Sequence, residues 1–389
     1  MLLQGTRVIE LANVISGPYA GLLLADLGAE VIKVEAPGRG DPFRGWQESQ
    51  QNISPAFFAM NRGKQSLTIN LKTPAGQALL KQLVATADVL IENFRPGVMA
   101  RLGLDYEQLK PLNPALVYCS ITGMGRVGPE RNRPVFDAIA QAYSGLWSQL
   151  SDLAAPQPVG PPMSDQLSGQ QAAQAILAAL VKRHRTGEGS RLDISMLGAT
   201  LAFQPLAIAN YSMQGAVADP SMRARSSQSF GFVDCEGKPF AVHLSSPAKF
   251  WERLVAALEV PELAIDPRFA HRPGRVAHYD ALQGELQAVF KHQTRAHWVN
   301  LLQTHEVPAS AIHTIQEALT DAHIQAEGLV MQVPQLGTQV AAVSSAAKVN
   351  GAMPTSAGAP PLGAHTDAVL AQLGYTEQDI AQLRSQEAI

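Results

Sequence analysis

One carboxylate in the chain stands in a setting suited to covalent chemistry. Asp165 lies in the segment 163–169, after a Pro161-Pro162 pair and ahead of an apolar run that continues to Val181. The pattern predicts a helix with Asp165 near its N-terminus, close to backbone N–H groups and on a rigid support. A carboxylate held in this way can act as a nucleophile that makes and breaks acyl bonds. The residue also fits a plain helix cap, because Asp is among the preferred N-cap residues.

The bulk composition limits the possible functions. A length of 389 residues favours two domains. The net charge of −3 leaves no basic excess for binding nucleic acid or an anionic membrane. Two cysteines, Cys119 and Cys235, are too few for a disulfide framework and are compatible with a reducing cytoplasm. The first seven residues run straight into a strand pattern and no apolar stretch is long enough to span a membrane, so we expect a cytoplasmic protein without a secretory leader.

Strand and helix patterns alternate over the first 200 residues and predict an open, mostly parallel α/β sheet. The predicted strands are residues 7–11, 30–35, 66–71, 88–92 and 116–121, and the predicted helices include 19–27, 73–85 and 196–213. Pro18 is expected at the first helical position. We therefore predict a large α/β domain whose N-terminal part spans residues 1–217.

The pattern changes after residue 217. A hairpin is predicted from strands 230–234 and 239–243 around a Glu236-Gly237 turn, followed by helices near 247–258, 280–291 and 295–304. Strand character resumes at 329–333, and short helices are expected at 366–373 and 377–384. The sequence thus predicts a smaller α+β domain at 218–327 and a C-terminal return to the large domain at 328–389.

The sequence lacks the motifs of several common binding and catalytic sites. The turn at residues 16–21 has two glycines at the wrong spacing for a dinucleotide-binding loop, and it contains Pro18. Neither a phosphate-binding Walker loop nor the Gly-x-Ser-x-Gly elbow of serine hydrolases occurs in the sequence. The ten histidines show no metal-ligand spacing. We therefore expect neither a tightly bound cofactor nor a metal.

A series of motifs resembles the class III coenzyme A transferases (CaiB/BaiF), the family of formyl-CoA transferase and carnitine CoA-transferase that also holds alpha-methylacyl-CoA racemase. The matching segments, in order, are residues 17–35, 70–76, 92–97, 120–125, 136–145, 183–189 and 362–366. The resemblance covers nearly the whole chain and is weakest from about 215 to 330. It implies a Rossmann-like large domain, a smaller α+β domain and an interlocked homodimer.

The resemblance also implies a mechanism and a site. Asp165 matches the family's catalytic aspartate, which attacks an acyl-CoA to give a mixed anhydride and then an aspartyl-CoA thioester. Gln166 and Gly169 are candidates for oxyanion donors or support. The positions that match the CoA site are Val14, Arg39, Ile69, Lys72, Asn93, Phe94 and Arg101. Formyl-CoA transferase has an arginine where this chain has Ala36, and Arg39, three residues further on, is expected to take its place.

Two alternatives stay open. The racemase branch needs a histidine directly before the aspartate that matches Asp137, and this chain has Phe136, which cannot exchange a proton. A non-catalytic acyl-CoA-binding protein would keep Lys72 and Arg101 but lose the nucleophile, and the presence of Asp165 in its motif argues against it.

The sequence says less about the substrates. The four-glycine flap of formyl-CoA transferase is missing, which disfavours formyl transfer. Succinyl-CoA as donor and a small dicarboxylic or hydroxy acid as acceptor are expected. The residues that could anchor a second carboxylate, with surface roles as the alternative, are Arg44, Arg62 and Arg225.

Overall fold

The computed structural model describes residues 1–46, 50–51, 53–343 and 347–389. These residues form two compact units. The large unit comprises Met1–Trp147, Pro158–Ile208 and Ala326–Ile389, and the small unit comprises Ser148–Gln157 and Ala209–Gln325. Among the described residues, no helix is both long and apolar enough to span a membrane.

The large unit is built on a six-stranded parallel sheet, which confirms the predicted α/β class. Its strands are β1 (Arg7–Leu11), β2 (Glu30–Glu35), β3 (Gln65–Thr68), β4 (Val89–Glu92), β5 (Val117–Thr122) and β6 (Ser190–Ser195). Their order in the sheet is β3-β2-β1-β4-β5-β6, and every neighbouring pair is parallel. The strand order therefore reverses between β1 and β4, where open α/β sheets form a crevice at their carboxyl edge.

Two smaller antiparallel sheets complete the strands. In the small unit, β7 (Ser229–Val233), β8 (Pro239–His243) and β9 (Ala309–Ala311) pair in that order, so the predicted hairpin is present and gains a third strand. In the large unit, β10 (Val330–Gln335) and β11 (Thr338–Val343) form a separate ribbon. The strand predicted at 329–333 thus pairs with β11 and does not join the parallel sheet.

The helices connect and cover these sheets. In chain order they are α1 (Ser16–Asp26), α2 (Pro55–Asn61), α3 (Pro74–Ala85), α4 (Val98–Arg101), α5 (Tyr106–Leu109), α6 (Asp137–Tyr143), α7 (Met163–Thr186), α8 (Met196–Ala202), α9 (Pro205–Gln214), α10 (Met222–Ser227), α11 (Ala248–Leu258), α12 (Pro261–Ile265), α13 (Arg272–Ala277), α14 (Tyr279–Phe290), α15 (Arg295–Thr304), α16 (Ile315–Thr320), α17 (Ala322–Ala326), α18 (Thr366–Gln372) and α19 (Glu377–Ser385).

Two helix predictions need correction. The helix predicted at 196–213 is divided into α8 and α9, because Pro205 lacks the N–H that would continue the helical ladder. Helix α1 begins at Ser16, so Pro18 occupies its third position and not its first. The earlier start brings the N-terminus of α1 closer to the end of β1.

Both faces of the parallel sheet are covered, as its buried strands require. On one face, Ile9 packs in a cluster with α3 and the C-terminal helices α18 and α19. On the other face, Val8 packs in a cluster with α1 and α7. Because both faces are closed, the loops at the carboxyl edge of the sheet are the places left for a ligand.

Candidate active site

Most of the predicted CoA-binding residues lie in loops that follow the parallel strands. Val14 follows β1, Arg39 follows β2, Ile69 and Lys72 follow β3, and the pair Asn93-Phe94 follows β4. The carboxyl ends of parallel strands meet at one edge, so these loops share the edge at which α/β proteins bind ligands.

A cavity of about 220 Å³ lies where the strand order reverses. It brings Val14, Asn93 and Phe94 together with Asp165. Other residues that line it include Asn13, Ser16, Thr122, Arg131, Arg133 and Phe136. The predicted residues thus divide into a group around Asp165 and a second group outside this cavity.

The second group consists of Arg39, Ile69, Lys72 and Arg101. The side chains of Arg39, Lys72 and Arg101 are exposed to solvent. Ile69 is 1% exposed and packs in the core on the α3 face of the sheet. Packing in the core is enough to explain why an apolar residue occupies position 69. The three exposed cations, in contrast, are accessible to an anionic ligand.

Asp165 is the third residue of α7 and is only 8% exposed. Among the described residues, none donates a hydrogen bond to its carboxylate, although that carboxylate borders the cavity. Asp165 therefore does not act as the N-cap of its helix. The N-cap position is Pro162, and no side chain within this segment caps α7. Burial, with a smaller repulsion from Asp137, raises the pKa of Asp165 to about 7.

Asp137, at the start of α6, supplies the contact that the sequence interpretation assigned to Asp165. Its Oδ1 accepts hydrogen bonds from the backbone N–H of Ser164 at 2.7 Å and of Asp165 at 3.2 Å. Gln141 Nε2 donates to its Oδ2 at 2.6 Å. Burial raises the pKa of Asp137, and these hydrogen bonds act in the opposite direction. Asp137 thus holds the first turn of α7 and places a second carboxyl group beside Asp165.

The donors predicted for an oxyanion are not available. The N–H of Gln166 donates to the Pro162 carbonyl at 3.1 Å, and Gly169 lies beyond the first turn, within the helical ladder of α7. Gly169 instead permits close packing of α1 on α7, because a Cβ there would lie 2.5 Å from the Ser16 carbonyl oxygen. Its support role therefore remains a prediction, and the donors must be sought elsewhere.

Helix α1 offers such donors. It has no side-chain cap, and the N–H groups at its first two positions, Ser16 and Gly17, have no partner within the helix. Ser16 also lines the cavity. Asn93 fixes the preceding turn, since its Oδ1 accepts from Asn13 N at 2.9 Å and its Nδ2 donates to Asn13 O at 2.8 Å.

The arginines considered as carboxylate anchors have other partners. Arg44 forms a buried ion pair with Glu35 at 2.7 Å, and Arg62 forms one with Asp26. Arg225, in the small unit, pairs with Asp219 at 2.7 Å.

Two arginines that the sequence did not single out, Arg131 and Arg133, border the cavity instead. Both belong to the loop between β5 and α6, which carries no regular pattern that would have distinguished them.

Comparisons with known proteins agree on a family. Residues 3–366 match the family described as CoA-transferase family III. The acetyl-CoA:oxalate CoA-transferase of Acetobacter aceti is 38% identical over 323 residues, which cover 81% of this chain and 82% of that protein. The succinate–glutarate CoA-transferase of Agrobacterium fabrum is 36% identical over 399 residues, with 97% and 96% covered. A crystal structure of a CaiB/BaiF family protein from Brucella suis superposes with a TM-score of 0.84 at 32% identity, over 95% of this chain and 98% of that one.

Proposed function

The chain belongs to CoA-transferase family III and is an enzyme of that class, and we propose that it transfers CoA from an acyl-CoA to a free carboxylic acid through covalent intermediates on Asp165. The observation that carries this proposal is the state of that carboxylate. It is buried, borders a cavity and receives no hydrogen bond from the described residues. An anion with few hydrogen bonds is a strong nucleophile, because it has little solvation to lose when it attacks.

The reaction runs in four steps. A carboxylate oxygen of Asp165 attacks the thioester carbon, and the C–S bond breaks to release the CoA thiolate and leave a mixed anhydride. The thiolate attacks Cγ of Asp165, which releases the donor acid and leaves an aspartyl-CoA thioester. The acceptor carboxylate attacks that thioester and again displaces the thiolate. Attack of the thiolate on the acceptor's acyl carbon then forms the new acyl-CoA and regenerates Asp165.

The surroundings of Asp165 support these steps electrostatically. Each attack creates a tetrahedral centre with a negatively charged oxygen. The N–H groups of Ser16 and Gly17, which have no partner within α1, are the donors that we assign to this oxygen. The nucleophilic steps require the ionised form of Asp165. Its place in the first turn of α7 favours that form through the helix dipole, whereas burial and Asp137 oppose it and raise the pKa to about 7.

The CoA nucleotide is proposed to lie along the carboxyl edge of the sheet. Lys72 and Arg101 are exposed cations suited to its phosphates, and Arg39 is the residue that we assign to the position of the missing family arginine. Val14, Asn93 and Phe94 are proposed to hold the pantetheine end beside Asp165. Ile69 is proposed to supply apolar contact from the end of β3.

We propose a dicarboxylic acid as acceptor and succinyl-CoA as donor. The relatives from Acetobacter and Agrobacterium are named for oxalate and for succinate and glutarate. Asp165 engages one carboxylate of such an acid, and the second needs a cation. Arg131 supports this assignment, since it lines the cavity and its side chain has no ion-pair partner among the described residues.

The test is exchange of CoA esters followed by liquid chromatography, without ATP. The protein is incubated with acetyl-CoA and succinyl-CoA in the presence of oxalate and glutarate. New CoA esters from the native protein and none from Asp165→Ala are expected. If Asp165→Ala retains exchange, Asp165 is not the nucleophile.

The same preparation separates the alternatives. Loss of chirality in a 2-methylacyl-CoA without exchange would favour the racemase, although Phe136 provides no acid or base there. Tight binding of CoA esters by the native protein and by Asp165→Ala, with neither reaction, would favour a binding protein.

The assembly and the location are also proposals. We propose a cytoplasmic homodimer with interlocked chains, as the family resemblance implies. In support, α9 buries none of its residues in the single chain and exposes Leu206, Tyr211 and Met213. A mass of twice 41.5 kDa by light scattering is expected. A monomer at micromolar concentration would contradict the proposal.

The domain limits are proposed as in the sequence: residues 1–217 and 328–389 for the large domain, and 218–327 for the small one. Limited proteolysis should cut first near these two limits, since exposed linkers are the preferred sites of nicking. First cuts elsewhere would contradict them.

A further inference from the structure

Four charged side chains, Glu10, Lys33, Asp41 and Lys64, form a fully buried ion cluster in the large unit. Lys33 Nζ lies 3.0 Å from Glu10 Oε1 and 2.9 Å from Asp41 Oδ2. Lys64 Nζ lies 2.8 Å from Glu10 Oε2. Two positive and two negative charges therefore balance each other away from solvent. Buried ion pairs often add little net stability over apolar residues of the same volume. A role in fixing a local backbone conformation would better explain why the cluster is present.

Three members of the ion cluster bind the backbone of one short segment, the catalytic loop, which we define as residues 12–18 between β1 and the first turn of α1. Lys33 Nζ donates to the Ala12 carbonyl at 2.7 Å, and Lys64 Nζ donates to the Pro18 carbonyl at 2.7 Å. The Val14 N–H donates to both carboxylate oxygens of Asp41 at 3.2 Å. The ion cluster thus forms hydrogen bonds with the backbone of the catalytic loop at its start, its middle and its end.

Val14, in the middle of the loop, is held in an unfavourable conformation. Its φ is +69°, in the left-handed region that β-branched residues avoid. Such a conformation persists only where the surroundings enforce it, and strain of this kind is concentrated at functional sites. Asp41 on the Val14 N–H and Asn93 on both backbone groups of Asn13 provide that enforcement.

The same loop forms one wall of the cavity that contains Asp165, and it ends in the uncapped N-terminus of α1. We propose that Asp41 and Lys33 are positioning residues for the transfer reaction, which hold the catalytic loop in the conformation that faces the acyl group on Asp165. This inference rests on the proposed function of Asp165. It differs from that function because neither residue touches substrate.

The first arm of the test compares activity with stability. Asp41→Ala removes the charge and the acceptor for Val14, whereas Asp41→Asn removes the charge and keeps an acceptor oxygen. Both should lower Tm, because both unbalance the ion cluster. Activity is measured as kcat/KM per folded protein, with acetyl-CoA and succinyl-CoA as donors and oxalate and glutarate as acceptors. It should fall about 30-fold in Asp41→Ala, since misplacement of about 1 Å can cost that much, and less than about threefold in Asp41→Asn.

A matched control lies at the other end of β1. Asp88 accepts a hydrogen bond from Arg7 N at 2.6 Å and pairs with Arg183 at 2.5 Å, at the amino edge of the sheet. Asp88→Ala should lower Tm and leave kcat/KM unchanged. If Asp41→Ala loses no more activity than Asp88→Ala, the ion cluster only stabilises the fold and the proposal is overturned.

The second arm does not depend on activity. Val14→Gly should raise Tm by about 2 °C in the native background, because glycine tolerates a positive φ. In the Asp41→Ala background the gain should vanish, since Val14 is then free to relax, and in Asp41→Asn it should persist. An equal gain in all three backgrounds would overturn the claim that Asp41 holds the loop. If the native protein transfers no CoA, the proposed function fails, and the three Tm differences still decide whether Asp41 holds Val14.

Discussion

Asp137→Asn should move the acid limb of the transfer reaction to lower pH. The asparagine keeps an oxygen that can accept from the N–H groups of Ser164 and Asp165, now bound by Asp137 Oδ1 at 2.7 and 3.2 Å. Gln141 can rotate its amide so that its oxygen accepts from the new Nδ2. The substitution therefore removes the negative charge beside Asp165 and leaves the start of α7 intact.

The expected size of the shift follows from the repulsion between the two carboxylates. At an effective dielectric constant of about 20, two like charges within the roughly 4–6 Å over which neighbouring charges shift a pKa repel by about 3–4 kcal/mol. Asp137 is only half-buried, so solvent screens part of this repulsion and the pKa of Asp165 should fall by on the order of one unit. Because the attacking group must be ionised, kcat/KM rises with pH through the Asp165 pKa of about 7. A fall of one unit would increase the ionised fraction at pH 6 about fivefold.

The assay is a pH profile of kcat/KM for the acyl-CoA, from pH 5 to 9, for the native enzyme and Asp137→Asn. Above pH 8 the two profiles should differ little, and near pH 6 the variant should be faster. Asp137→Ala is the companion variant, because it also removes the acceptor for the first turn of α7. It should lose about 1 kcal/mol in the free energy of unfolding. An acid limb that stays in place or moves to higher pH in Asp137→Asn would refute the coupling between the two carboxylates.

Three further results are expected. Burial raises the pKa of Asp165 from 3.8 to about 7, so its ionisation opposes folding as pH rises between these values. Asp165→Asn should therefore raise the free energy of unfolding by roughly 4 kcal/mol at pH 8 and leave it unchanged at pH 3, in denaturant titrations. Gly169→Ala should lower the free energy of unfolding by about 1–3 kcal/mol and lower kcat, because the new Cβ would meet the Ser16 carbonyl. Gly284→Ala is the control: its Cβ would meet nothing within 4 Å, so it should instead stabilise α14 slightly. Arg131→Ala should raise KM for a dicarboxylate acceptor about tenfold and leave KM for a monocarboxylate unchanged in steady-state kinetics; equal effects on both acids would contradict its assignment.

The parallel sheet was predictable because its signals are local. The strands at 7–11 and 30–35 agree with β1 and β2 residue for residue, since apolar runs bounded by turn residues are typical of buried parallel strands. Strand β6 was not predicted, because it lies at the edge of the sheet and its residues are only partly buried. Strand β9 has only three small residues, too few for any periodicity.

The candidate site was predictable only in part. Asp165 and the loops after β1 and β4 could be found because motifs carry them in the sequence. The role of Asp137 could not, because it depends on contact across 27 and 28 positions of the chain between α6 and the first turn of α7. Similarly, Lys33 and Asp41 look like ordinary charged residues in sequence, and only the tertiary fold removes them from water.

Three features that destabilise the folded state lie around one cavity. Their occurrence together is the strongest physical argument for a functional site there. The Asp165 carboxylate is buried without a hydrogen-bond donor among the described residues, Val14 has a left-handed backbone, and α1 begins without a side-chain cap. Each feature opposes stability, so a sequence selected for folding alone would tend to lose it. Substitutions that relieve any of the three should therefore stabilise the fold and reduce transfer, as is expected where a rigid scaffold maintains a reactive site. Asp165→Asn tests this relation most directly, because a single amide removes the ionisable nucleophile and leaves the shape of the cavity nearly unchanged.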